Sequence, residues 1–115
     1  MYEYRATLLK VVDGDTVDLR VDLGFSVHVE ERFRLLGINT PEMSSKDATE
    51  RARAQAATKY MADLMSKGPV TIRTKKDESD KYGRMLATIV NGAGVVVNEE
   101  MIRAGHAVAY DGGKR

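Results

Sequence analysis

The sequence predicts a mainly β protein of the α+β class: three strands, a long helix, two more strands and a short C-terminal helix. Three observations predict it. Apolar and β-branched runs recur at 4–12, 16–22, 26–36, 70–74 and 85–90. Asp-Gly, Leu-Gly, Gly-Pro and Asn-Gly signals break the chain between them. Small and apolar residues at helical spacing run through 48–64. Strands on either side of one helix, in the order three then two, make a five-stranded OB-type β-barrel with its helix between strands 3 and 4.

Each element has a local reason. Residues 4–12 (YRATLLKVV) are rich in β-formers, and Asp13-Gly14 turns the chain. In 16–22, Val17, Leu19 and Val21 alternate with Asp18, Arg20 and Asp22, the pattern of a half-buried strand. Leu23-Gly24 leads to a third strand over 26–36, marked by Val27, Val29, Phe33 and Leu35, with an irregularity expected at Glu30-Glu31. Pro41 lacks an N–H and disfavours helix at Thr40, so 37–42 is a loop. Ser44 to Asp47 offer N-caps for a helix running to about Lys67. Its stripe reads as Ala48, Ala52, Ala56, Tyr60 and Leu64, flanked by Ala57, Met61 and Met65, and Gly68-Pro69 stops it. Strands at 70–74 and 85–90 enclose a charged loop. Asn98 is the expected cap of the last helix, with Glu99 and Glu100 at its positive end, Gly105 ending it and a short extended piece near 107–110.

Composition narrows the chemistry. At 115 residues the chain is read as a single domain, 1–115. It has no cysteine and only His28 and His106, so thiolate catalysis, zinc-thiolate sites and histidine clusters are excluded. Both histidines are read as structural. Any metal is then a hard cation held by oxygens. A net charge of +1 does not advertise nucleic acid, so that case rests on local placement. The start of the chain shows neither a signal peptide nor a membrane span; the expectation is a cytoplasmic monomer without membrane contact.

Three constellations carry possible chemistry. Asp13-Gly14-Asp15-Thr16 is either a polar hairpin turn or an acidic edge for a hard cation. Arg34, between Phe33 and Leu35, is either a solvated strand arginine or a rigid fork for phosphate oxygens, with Glu42 beyond a proline-fixed loop. Lys81-Tyr82-Gly83-Arg84 is either a turn or a second guanidinium with added positive charge. Phosphoryl transfer needs charge neutralised on oxygen, which two arginines and a cation provide.

In order and spacing these pieces resemble the staphylococcal nuclease (thermonuclease) family. The resemblance is carried by VVDGDTV (11–17), FRLLGINTPE (33–42), SDKYGRMLA (79–87) and VNEEMIRAGHA (97–107). It implies an OB-type barrel and a Ca2+-dependent endonuclease acting on DNA and/or RNA and leaving 3′-phosphate ends. It implies Arg34, Glu42 and Arg84 as catalytic residues, with Glu42 the general base or the group that orients the water. By the same resemblance Asp15, Asn39 and the Thr40 carbonyl hold the metal, with Asp13 behind them, and Lys81, Tyr82 and Tyr110 contact substrate.

Two departures qualify the likeness. Asn39 stands where the family usually has an aspartate, which removes one negative charge and implies weaker Ca2+ binding or another divalent cation. Family members commonly continue into a further helix, whereas this sequence stops at Arg115. The alternative function is a catalytically weak or inactive OB domain that binds nucleic acid or protein partners.

Overall fold

In the computed structural model, which describes residues 2–74 and 83–110, the long first strand serves two neighbours. Strand β1 (Tyr2–Asp13) pairs antiparallel with β5 (Val70–Thr74) through Tyr2–Ala6 and with β2 (Thr16–Asp22) through Arg5–Asp13. Register shifts between Leu8 and Lys10 and between Val11 and Asp13 bend it around the barrel corner, because an extra residue on one strand adds local twist. Strand β3 (His28–Leu35) pairs antiparallel with β2 and parallel with β6 (Met85–Val90), which pairs back to β5. The barrel closes in the order β1-β2-β3-β6-β5. This is the predicted five-stranded barrel, with helix α1 (Ala48–Met65) between its third and fourth strands in chain order.

The core follows from strand alternation. Val17, Leu19 and Val21 point inward from β2 as expected, joined by Phe33, Leu35, Val70, Ile72, Ala87 and Ile89. Helix α1 covers one end, its first turn capped by Asp47, whose carboxylate accepts the Thr49 N–H. The buried face of α1 differs from the expected stripe. Ala54, Ala57, Met61, Leu64 and Met65 are buried, while Ala48, Ala52 and Ala56 face outward. Runs of alanine fit either face of a helix, so the large Met and Leu side chains set the orientation.

Three further details correct the sequence reading. The β2–β3 ladder runs without a shift from Thr16↔Arg34 to Asp22↔His28, so Glu30-Glu31 is regular and the irregularities lie in β1. Val27 and Val29 are exposed, because the far end of this hairpin extends past the core. Helix α2 (Val97–Arg103) begins at Val97 with Val96 in the cap position, so Asn98 does not cap it. The Asn98 amide turns inward instead. It accepts from Ile89 N–H (2.9 Å) and donates to the Leu36 and Ala87 carbonyls (2.8 and 3.2 Å).

A second, two-stranded sheet lies outside the barrel. Strand β4 (Ile38–Asn39) pairs antiparallel with β7 (Val108–Ala109), and Tyr110 N–H then donates to the Gly37 carbonyl at 2.8 Å. Gly37 turns out of β3 with φ 84°, a left-handed conformation that glycine adopts without steric cost. No helix among the described residues is long and apolar enough to cross a membrane.

Candidate active site

The β1–β2 turn, the end of β3 and the start of β6 meet at one mouth of the barrel. The turn packs tightly against the helix. A Cβ on Gly14 would lie 2.9 Å from the Ala57 Cβ and 3.0 Å from Thr40 Oγ1, so only glycine lets the turn come so close to α1 and the 38–42 segment. The Asp15 carbonyl accepts the Leu35 N–H at 2.9 Å, which ties the turn to β3.

Asp15 is buried, at 7% exposure, and each of its carboxylate oxygens accepts a hydrogen bond. Its Oδ1 accepts from the Thr16 hydroxyl at 3.0 Å and its Oδ2 from Thr40 N–H at 3.3 Å. Arg34 Nη2 lies 3.7 Å from the same Oδ2. Arg34 therefore does not stand on the solvent face. It occupies the mouth between buried Phe33 and Leu35, the environment in which a charge needs partners. Its Nη2 donates to the Ile38 carbonyl at 2.9 Å and toward Asn39 Oδ1 at 3.4 Å. The guanidinium carbon also sits 5.0 Å from the centre of the Tyr110 ring, a cation–π distance.

Arg84, just before β6, reaches the same place. Its Nη1 donates to Thr16 Oγ1 at 3.4 Å. Thr16 thus faces both arginines: it is the ladder partner of Arg34 and accepts from Arg84. Asp15, Arg34, Asn39, Thr40, Arg84 and Tyr110 are brought together. Glu42 is not joined to them. It is exposed, its N–H donates to Glu50 Oε2 at 3.3 Å, and its carboxylate has no partner among the described residues. Lys81 and Tyr82 lie outside the described residues.

Asp13 Oδ1 accepts the Asp15 N–H at 3.1 Å, which holds the two carboxylates side by side. Burial first, then side-chain hydrogen bonding and repulsion between the two carboxyl groups, push Asp13 up to about 6 against the lowering pull of the Asp15 N–H. Two carboxylates forced together are stabilised by a divalent cation, and the neighbouring Asn39 amide oxygen adds a neutral ligand of the same hard class. Among the described residues no three His, Asp or Glu side chains converge, so the set is acid-poor. Asp15, Asn39 and Thr40 are the oxygen-bearing residues at this mouth that could hold a hard cation.

A groove of about 490 Å3 opens beside Asn39, Thr40 and Pro41, with Arg53 and His106 on its wall. His106 packs against Tyr60 with ring centres 4.8 Å apart and planes tilted by 33°. His28 is exposed on the β2–β3 hairpin.

Residues 32–115 match the family described as Staphylococcal nuclease homologue. The chain belongs to that family. Relatives include the Endonuclease YhcR of Bacillus subtilis, 28% identical over 94% of this chain and 9% of the relative. A Thermonuclease of Staphylococcus intermedius is 30% identical over 70% of this chain and 45% of its own length. An uncharacterized endonuclease of Escherichia coli O157:H7 is 32% identical over 90% of this chain and 60% of its own length. The chain thus spans less than two thirds of each of these relatives.

Family membership is consistent with the pieces the sequence singled out, and the structure changes the part played by three of them. Thr16 was visible only as the last letter of DGDT. The β4–β7 sheet, which carries Tyr110 to Arg34, is two residues deep and too short for a periodic signal. Asn98 looked like a cap because it precedes an acidic first turn, and only the fold shows it buried.

Proposed function

We propose that residues 1–115 form one nuclease domain, a metal-dependent endonuclease that cleaves phosphodiester bonds of DNA and/or RNA and leaves 3′-phosphate ends. The observation that carries this reading is the meeting of Arg34 and Arg84 around Asp15 and Thr16 at one barrel mouth, in a chain whose relatives are named nucleases.

The residues divide the work. Arg34 uses Nη2 on Ile38 and Asn39, while its Nε and Nη1 have no partner among the described residues. Those donors point to a phosphate, whose paired oxygens match a planar guanidinium. The Tyr110 ring and the Ile38 carbonyl hold the arginine still, so little reorganisation accompanies charge build-up on oxygen. Arg84 supplies the second positive charge. Glu42, on the loop past Pro41, accepts a proton from the attacking water as the water oxygen bonds phosphorus. The bond from phosphorus to the 5′ oxygen breaks, and the leaving oxygen takes its proton from solvent. Asp15, Asn39 and Thr40 would hold Ca2+ or another divalent cation, which when bound neutralises phosphate charge and orients water.

The test is direct. Denatured DNA is incubated with nuclease-clean protein and Ca2+, with and without chelator, and the ends are typed for 3′-phosphate. Chelator-sensitive cutting is expected. A folded preparation that never cuts would sink the proposal.

Two observations favour a binding module instead: Asn39 leaves the mouth short of acid, and the exposed Glu42 makes no ion pair with Arg34 or Arg84 among the described residues. That reading predicts nucleic-acid binding that survives Glu42→Gln and is lost in Arg34→Ala, with no cutting by either.

A further inference from the structure

We infer that Thr16 is a positioning residue that locks the Asp15 carboxylate and ties it to Arg84; this inference rests on the nuclease reading above. Thr16 is 2% exposed, so its hydroxyl must be satisfied inside the protein. Its partners Asp15 and Arg84 are charged, and the charges fix the direction of these two bonds. An ionised carboxylate can only accept, so the hydroxyl hydrogen goes to Asp15 Oδ1 (3.0 Å). A guanidinium can only donate, so Arg84 Nη1 takes a lone pair of the same oxygen (3.4 Å). The result is a one-way chain from Arg84 through Thr16 to Asp15, in which each bond polarises the next.

The backbone makes the link stiff. Thr16 is the first residue of β2 and the ladder partner of Arg34, so its Cα is fixed by the β2–β3 register. Its branched Cβ has few rotamers on a strand. Asp15 Oδ2, held by Thr40 N–H, is the other end of the carboxylate. Thr16 and Thr40 together allow Asp15 one orientation, with its acceptor directions set before a cation or phosphate arrives. Groups that orient a ligating carboxylate in this way typically matter about 10–100-fold for metal affinity or activity.

Thr16→Val keeps the branched shape and removes the hydroxyl; Thr16→Ser keeps the hydroxyl. Each is melted in increasing Ca2+ and assayed on denatured DNA in Ca2+. The expected result is that Thr16→Val needs about tenfold more Ca2+ for its melting shift and loses kcat more than KM changes, while Thr16→Ser returns both to near the parent. Thr16→Ala is the second variant should valine disturb the fold, with the same expectation. Unchanged Ca2+ dependence in Thr16→Val or Thr16→Ala, or a Thr16→Ser as impaired as either, overturns the inference while leaving the nuclease reading standing. A parent protein that neither shifts with Ca2+ nor cuts overturns both.

Discussion

Asp15 and Arg34 face each other at 3.7 Å with each side chain only 10% exposed. The separation is long for a direct ion pair. The guanidinium spends its shortest hydrogen bond on the Ile38 carbonyl instead, at 2.9 Å. The pair is therefore a charge balance at the barrel mouth more than a clamp. Removing one partner leaves the other buried without its counter-charge, which typically costs about 3–5 kcal/mol. The Ile38, Asn39 and Tyr110 contacts that remain to Arg34 argue for the low end. Asp15→Ala is expected to lower stability by about 3 kcal/mol in a urea titration without changing the slope. A loss near zero would show that Arg34 needs no counter-charge from Asp15.

Asn39 presents its Oδ1 to Arg34 Nη2 at 3.4 Å, on the same side as Asp15. Asn39→Asp keeps the shape and adds one negative charge to an acid-poor oxygen set. Apparent Ca2+ affinity, read from the melting temperature across a Ca2+ titration, is expected to rise about tenfold, equivalent to about 1.4 kcal/mol. Affinity that stays level would mean that Asn39 contributes no ligand to a cation there.

Much of this was legible in the sequence, for reasons that can be named. Alternation in 16–22 reports a half-buried strand, and β2 buries Val17, Leu19 and Val21 as read. Strands 70–74 and 85–90 are short, apolar and bounded by strong breakers, and both appear with those bounds. The face of α1 was not legible, since its alanines carry no directional information and Met61, Leu64 and Met65 decide the packing. The sequence leaves the burial of Arg34 open, because a strand residue's side depends on which neighbour covers it. Asp15, Tyr110 and the Ile38 carbonyl come from three separate segments.

Asn98 joins three segments around the exit of β3. Its amide serves Ile89 on β6 and the carbonyls of Ala87 and Leu36, just before the turn that carries Ile38 to Arg34. Asn98→Ala removes all three bonds and leaves at least one buried backbone donor without a partner. Each such orphan costs about 1–3 kcal/mol, so a loss of about 3 kcal/mol in urea is expected. Activity per folded molecule should fall as well, because the Leu36–Ile38 segment loses its anchor. A stable variant with full cutting would show that water replaces the amide at no cost.

Glu100 gives the fold a defined acid sensitivity. Its carboxylate takes hydrogen bonds from Arg103 and from the Tyr60 hydroxyl (2.5 Å), joining α2 to α1. Arg103 first, then Tyr60, pull Glu100 down to about 2 from an ordinary 4.5. Because the folded value lies below the unfolded one, the contribution is fully present above 4.5 and is lost as pH falls toward 2. Glu100→Gln removes the titration. The variant should be less stable than the parent at neutral pH, and the two urea midpoints should converge as pH drops from about 4.5 toward 2. Parallel pH curves across that window would show that the Tyr60–Glu100–Arg103 cluster contributes nothing through ionisation.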